Sequence, residues 1–320
     1  MISGIGRNSS YRPTFEVADW CDPARVPAPQ WTNEVASTAG QSATLALFAG
    51  NSALVTRMLD AVPEAHQHNS RVLLAATLES VFAGDFDLAE SRLAAVAPAD
   101  DLDAFYLAHN KAQIFHNRLH TDRVTDAEYR QIALAHCAQL VSRAREQGAP
   151  LTLAGTLCLY GYCLDGAGDI NGAVAVESEA IELSEKHGAW FLVDAARAGL
   201  VYSLAQLTAN EPGQRHDTVA TLHATIEAAI TRRNHFVIAD CLSFAVERVL
   251  WDAGDHRTAA LLGIFGKLHV PLNALFPSAV DPALLGADAL AEIEAEAAKL
   301  DIETAGSIAL AALAQILATG

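Results

Sequence analysis

The sequence predicts an all-α superhelix, an α-solenoid of antiparallel helix pairs, and three observations carry that prediction. From Ala36 onward, apolar residues recur three and four apart, the period of an amphipathic helix, and Gly, Pro, Asn or Asp breaks the pattern roughly every 15 to 20 residues. Val and Ile nowhere alternate with polar residues over the length of a strand. A turn also repeats: Gly84-Asp85-Phe86-Asp87-Leu88-Ala89, Gly168-Asp169-Ile170-Asn171-Gly172-Ala173 and Gly254-Asp255-His256-Arg257-Thr258-Ala259 all read Gly-Asp-x-x-x-Ala. The turns lie 84 and 86 residues apart, with breaker-rich segments near Thr125 and Asn210 about midway, so the single period is near 42.

Each position in that turn has a physical task. The Gly can take the left-handed conformation that ends one helix, the Asp can cap the next, and the Ala lets the paired helices approach closely. One such pair cannot bury its apolar face alone, and stacked neighbours complete the core. The stretch before Ala36 differs: Pro13, Pro23, Pro27 and Pro29 stand among scattered polar residues without helical period, so residues 1–35 read as an irregular or partly ordered segment. The repeat domain then runs over 36–320, with capping helices from about residue 276.

Composition bounds the function. At 320 residues, 51% hydrophobic and 18% charged, the chain can bury a long core, and its alanines favour helix. Twenty-one Lys and Arg stand against 38 Asp and Glu, and a net charge of −17 repels phosphate backbones and anionic membranes, which disfavours direct nucleic-acid binding and a membrane partner. Cysteines 21, 137, 158, 163 and 241 form no Cys-x-x-Cys pair and read as reduced, buried thiols of a cytoplasmic protein. No run approaches about 18 consecutive apolar residues, and the N-terminus lacks a continuous apolar segment of the signal-peptide kind.

Residues 154–184 resemble a tetratricopeptide repeat, with Leu157, Gly161, Leu164, Ala173 and Ala180 at the motif's large, small, large, small and small positions. The segment 70–96 resembles it less closely, through Leu73, Ala76 and Ala89. The segment from Asp240 keeps Leu250 and Ala259 but has Glu247 where a small residue is usual. Ala260-Leu261-Leu262-Gly263, Leu285-Gly286-Ala287-Asp288-Ala289-Leu290 and Leu300-Asp301-Ile302-Glu303-Thr304-Ala305 resemble the C-terminal array of actinobacterial-type signalling ATPases, including LuxR-family and cyclase-fused regulators. The resemblance covers roughly residues 40 to 318 and implies a regulatory binding module of the signal-transduction or transcription-regulator type.

Motifs for chemistry are sparse. No Gly-x-x-x-x-Gly-Lys-Ser/Thr phosphate loop and no Gly-x-Ser-x-Gly elbow occurs; Gly4-Ile5-Gly6 lacks a preceding strand, and Gly166-Ala167-Gly168 reads as a turn between helices. Glu292, Glu294 and Glu296 read as a solvated helix face, as do Arg143 and Arg145. These readings predict no catalytic residue, no metal and no cofactor. The most suggestive polar set is His109, His116 and His120, whose offsets of 7 and 11 put them on one helical face with Asp122 just beyond. They could hold zinc or titrate, which is the route to an alternative metal-binding or enzymatic reading, but no His-Glu-x-x-His is present.

In arrays of the resembled type the first helix of each pair lines a concave groove. Register from the repeated turns puts Tyr162 and Asp165 there in one unit and Phe244, Arg248 and Trp251 in a later one, an aromatic beside a charge in each. The function expected is therefore non-enzymatic binding of a protein segment or small effector in that groove. A purely structural homo-oligomer is the other alternative; it would use an apolar patch on the end helix Ser307 to Leu317, through Ile308, Leu310, Leu313, Ile316 and Leu317, unless that helix packs back as a cap.

Overall fold

The three repeated glycines do end helices in the left-handed conformation, at φ 76° for Gly84, 92° for Gly168 and 87° for Gly254. Each following Asp then caps the next helix through its side chain: Asp85 accepts from the Leu88 amide at 3.0 Å, Asp169 from Gly172 at 3.0 Å and Asp255 from Thr258 at 3.3 Å. Ala89, Ala173 and Ala259 are fully buried where the paired helices meet. The predicted division of labour within the turn is thus present in all three copies.

The structure is a computed structural model that describes residues 31–48, 51–121, 126–210, 215–270 and 278–319. Residues 1–30 with Cys21, residues 122–125 with Asp122 and Thr125, and residues 211–214 just after Asn210 lie outside the described residues. Among those described there is helix and turn but no strand.

Six helix pairs follow one another among the described residues. They are α1 (Asn33–Phe48) with α2 (Ser52–Asp60), α3 (Ser70–Phe82) with α4 (Phe86–Ala94), and α5 (Asp101–Thr121) with α6 (Ala127–Glu146). Next come α7 (Pro150–Ala167) with α8 (Ile170–Lys186) and α9 (Trp190–Asn210) with α10 (Arg215–Thr231). The sixth pair sets a broken rod against α13 (His256–His269): α11 (His235–Cys241) passes through a π-turn at Leu242–Val246 into α12 (Glu247–Asp252). Packing is between sequence neighbours, as a solenoid requires: α7 lies on α6 and α8, α8 on α9, α1 on α3, and α3 on α5. Close approach is secured by small residues; a Cβ at Gly40 of α1 would strike the Arg71 and Val72 backbone of α3.

The array is curled rather than straight. Its largest apolar cluster joins Leu74, Val81 and Phe86 of the second pair to Ala198 of α9 and to Leu242, Leu250 and Phe265 of the last. The rings of Phe82, at the end of α3, and Phe236, at the start of α11, sit 6.0 Å apart. The chain therefore comes round until the second unit touches the sixth.

Three further helices follow among the described residues: α14 (Pro282–Leu285), α15 (Ala287–Ala297) and α16 (Ile302–Thr319). By length and composition α16 is, among the described residues, the one helix that could cross a membrane. In the fold it packs on α10, with Ile302, Ala305, Gly306, Ala309 and Leu313 buried. Ile308, Leu310, Ile316 and Leu317 lie half-buried against the same core, so the helix packs back as a cap.

Candidate functional site

The curl encloses a cavity of about 430 Å³, inside the size range of small-molecule sites. Its wall is built by the first helix of every pair, α1, α3, α5, α7, α9 and α11, which is the surface assigned to the groove from sequence. Four-residue spacing explains how these helices present it. Leu74, Leu78 and Phe82 line it from α3, Cys158 and Tyr162 from α7, Ala198 and Tyr202 from α9, and Phe236, Asp240 and Phe244 from the α11 rod. Most of this surface is aliphatic or aromatic. Tyr202 and Phe244 meet edge to face at 5.4 Å, which ties the wall contributed by α9 to that of the rod.

The histidine row of α5 is part of this wall, since His109, His116 and His120 all line the cavity. His116 stacks on Tyr162 at 5.0 Å and meets His120 at 4.9 Å. The His120 Nε2–H donates to the Tyr162 carbonyl at 3.0 Å, and a Cβ at Gly166 would press on the same ring, so α7 has no room for a larger residue there. Burial lowers the pKa of all three imidazoles, that of His109 to about 4, and the charge of neighbouring His120 lowers His116 further. At neutral pH the row is uncharged. Among the described residues no group of three or more His, Cys, Asp or Glu is arranged to hold a metal ion.

Of the five residues assigned to the groove, the structure brings two into the cavity. Tyr162 and Phe244 line it. Tyr162 is anchored by its hydroxyl, which donates to the Ala195 carbonyl at 2.8 Å, and burial raises its pKa well above the usual value. Asp165 lies behind the wall, where Gln206 Nε2 donates to its two oxygens at 2.8 and 2.9 Å and Ser203 Oγ donates at 3.2 Å. Arg248 pairs with Asp252 at 3.2 Å on a half-exposed face, and Trp251 stacks on His256 at 4.3 Å. Neither lines the cavity.

The π-turn accounts for that miss. It inserts one residue into the helical count between Phe244 and Arg248, so everything after it is rotated by about 100° from the face an unbroken helix would present. Nothing in Leu242-Ser243-Phe244-Ala245-Val246 announces the extra residue. Phe82, Tyr202, Phe236 and Asp240, not expected from the sequence, also line the cavity. Their common signal was the four-residue spacing on first helices, visible at 198 and 202 and at 236, 240 and 244.

Cysteines 137, 158, 163 and 241 are free and buried. Cys137 and Cys163 approach to 3.2 Å as thiols between α6 and α7, and desolvation pushes Cys158, in the cavity wall, up to about 12.

No family model matches the chain. No curated protein matches it either. Among solved structures, a similar chain is described as a circular tandem repeat protein with novel repeat topology and enhanced subunit contact surfaces; it is 12% identical, with 99% of this chain and 75% of that one covered and a TM-score of 0.22. The helical repeat expected from residues 154–184 is present in the fold, whereas kinship with signalling ATPases finds no matching family.

Proposed function

We propose that this chain is a non-enzymatic binding module that takes a small, largely apolar effector into the cavity enclosed by its first helices. The observation that carries the reading is the cavity itself: about 430 Å³, walled by aliphatic and aromatic side chains from six successive units. A peptide would need an extended open groove, and the contact of Phe82 with Phe236 favours the smaller guest. His120 in the wall is engaged with a backbone carbonyl and Asp165 behind it with Gln206 and Ser203, which supports binding over catalysis.

Occupancy has a route to an output. A guest touching α3 and α11 together favours the closed curl over a more open one, and it shifts that balance by its difference in affinity for the two shapes. In the regulatory reading suggested by the resemblance, a protein partner senses the curvature.

Gly155 gives the test. It lies in the cavity wall on α7, and a Cβ built there meets nothing nearer than Leu192 Cδ2 at 3.7 Å, so Gly155→Phe puts a ring into the cavity without a backbone clash. Wild-type protein is expected to bind the apolar dye N-phenyl-1-naphthylamine saturably at one site. The variant should keep its circular dichroism and lose at least tenfold in dye affinity. Equal binding by both proteins would place the dye elsewhere and remove the reading.

A further inference from the structure

The charges of the cavity wall are answered within the protein, whereas one stripe of uncharged polar side chains is not. Apart from the histidines, the lining side chains that bear charge are Arg71 and Asp240. Arg71 has its Nε 2.6 Å from Asp103 Oδ1 and its guanidinium over the Tyr106 ring at 4.6 Å. Asp240 is engaged within the protein as well. The imidazoles of His109, His116 and His120 are held neutral by burial. A charged guest would thus carry its charge into an apolar space with no counter-charge to spare, and burying an ion without a partner is costly.

The uncharged stripe belongs to α5. His109, Gln113 and Asn117 follow one another a turn apart, and all three line the cavity. At 1.5 Å per residue the stripe runs about 12 Å along the wall. The Gln113 side-chain amide makes no hydrogen bond among the described residues; only its backbone carbonyl is used, by Asn117 Nδ2 at 2.8 Å. Asn117 is 1% exposed, yet its Oδ1 has no hydrogen-bond partner among the described residues, and neither has the buried Nδ1 of His109. Asn110 on the same helix shows the contrast, since its Nδ2 donates to the Leu74 carbonyl at 2.9 Å. Buried polar atoms nearly always have a partner, so unmet ones in a cavity wall point to groups that the guest brings.

The unmet atoms ask for a donor. With its nitrogen already used, the Asn117 amide can only accept; a neutral imidazole has one accepting nitrogen, and the Gln113 amide both accepts and donates. A hydroxyl suits all three, because it donates one hydrogen bond and accepts others without carrying charge. An ether or ketone only accepts, and would leave Asn117 unanswered. Resting on the small-molecule reading above, we infer that the guest is an uncharged alcohol, an apolar molecule whose hydroxyl lies along the stripe of His109, Gln113 and Asn117. The apolar body lies toward Leu74 and Leu78.

Displacement of N-phenyl-1-naphthylamine from the full chain tests this with defined probes: 4-phenylbutan-1-ol, its isomeric ether (3-methoxypropyl)benzene, 4-phenylbutyrate and 4-phenylbutylammonium. The ether is the more apolar isomer, so an apolar cavity alone would favour it. The alcohol is instead expected to displace the dye at a concentration about fivefold lower than the ether, and about tenfold lower than either ion. Gln113→Met nearly keeps the shape of the side chain and breaks no side-chain hydrogen bond among the described residues, so it should melt as wild type does while the alcohol loses its lead over the ether. The wild-type order alone decides the matter should that variant fold poorly. If the ether matches the alcohol, the stripe is wrong and the apolar cavity stands; if either ion displaces the dye best, the guest is charged and the inference is overturned. If the dye never binds, the small-molecule reading falls and this inference falls with it.

Discussion

Two buried glutamates occupy the same place in two units of this array, and they are kept buried by opposite means. In the central unit Gly161 of α7 faces Glu177 of α8; in the last unit Glu247 of α12 faces Gly263 of α13. Each couple is separated by sixteen residues, with glycine and glutamate exchanged. In both, a Cβ on the glycine would run into the glutamate side chain, so the packing slot asks for one missing side chain and one long one without specifying the order. Electrostatics is settled separately. Glu247 receives Lys267 Nζ at 2.8 Å, Ser278 Oγ at 2.8 Å and the Ala279 amide at 2.6 Å. Glu177 has Ser203 Oγ at 3.4 Å, while its Oε1 is buried with no hydrogen-bond partner among the described residues. Desolvation, reinforced by the charge of Asp165, raises its pKa well above the ordinary value, so it remains buried by keeping its proton.

The terminal unit should thus be sensitive to loss of a partner, and the central one to loss of a proton. Lys267→Met tests the first and carries the largest expected effect. It leaves a buried carboxylate without its cation and should lower stability by about 3–5 kcal/mol in urea titrations. A loss below about 1 kcal/mol would mean that the Ser278 and Ala279 contacts alone hold Glu247, and the contrast between the units would collapse.

Next in size is a pair of small-to-large changes. Gly263→Ala drives a methyl group into a carboxylate pinned by three partners, whereas Gly161→Ala meets a glutamate held by one long hydrogen bond. Overpacking should lower stability by about 2–3 kcal/mol in the first case and by about 1–2 kcal/mol in the second. The same order in thermal melts would sharpen the comparison, and the reverse order would break it.

How much of this could be read from the chain depends on the range of the interactions involved. The Gly-Asp-x-x-x-Ala turns were legible because left-handed glycine, Asp cap and buried Ala are local decisions within six residues. The departure at Glu247 was visible too, but its explanation was not: the compensating glycine lies sixteen residues on, and the anchoring Ser278 and Ala279 lie 31 and 32 residues on. Tyr162 and Phe244 line the cavity on the first helices of their pairs, where helical period alone places them. Arg248 and Trp251, expected on the same face, lie outside the cavity because one extra residue at Leu242–Val246 turns the helix. The enclosure of the groove was not legible at all, since it depends on curvature accumulated over six units and ends in the contact of Phe82 with Phe236.

The central region also keeps its buried bases neutral, which gives the two halves different acid responses. His109 titrates near 6.5 when unfolded and about 4 when folded, so the unfolded chain takes up the proton first. The stability this group contributes is complete above pH 6.5 and is lost as pH falls toward 4. Its ring edge meets the cavity, and about 1–2 kcal/mol is the expected size of the loss at roughly 1.4 kcal/mol per pH unit after discounting for that contact with solvent. Urea midpoints of His109→Leu should fall less steeply than those of wild type between pH 6.5 and 4. Parallel slopes would show that the imidazole is solvated.

The smallest effect bears most directly on the two glutamates. Glu177 has the opposite sign to His109: with the folded pKa raised above the ordinary 4.5, its contribution is full below pH 4.5 and is lost as pH rises through the folded value. Glu177→Gln keeps the shape, replaces the titrating carboxyl with a neutral amide and should remove that loss. The variant is expected to gain about 1 kcal/mol over wild type at pH 8 and to converge with it near pH 4.5. Glu247→Gln, which discards an ion pair instead of a stranded carboxyl, should be less stable than wild type at pH 8. A common sign for the two substitutions would mean that the exchanged glycine and glutamate are held by one electrostatic arrangement after all, with the difference between the units confined to packing.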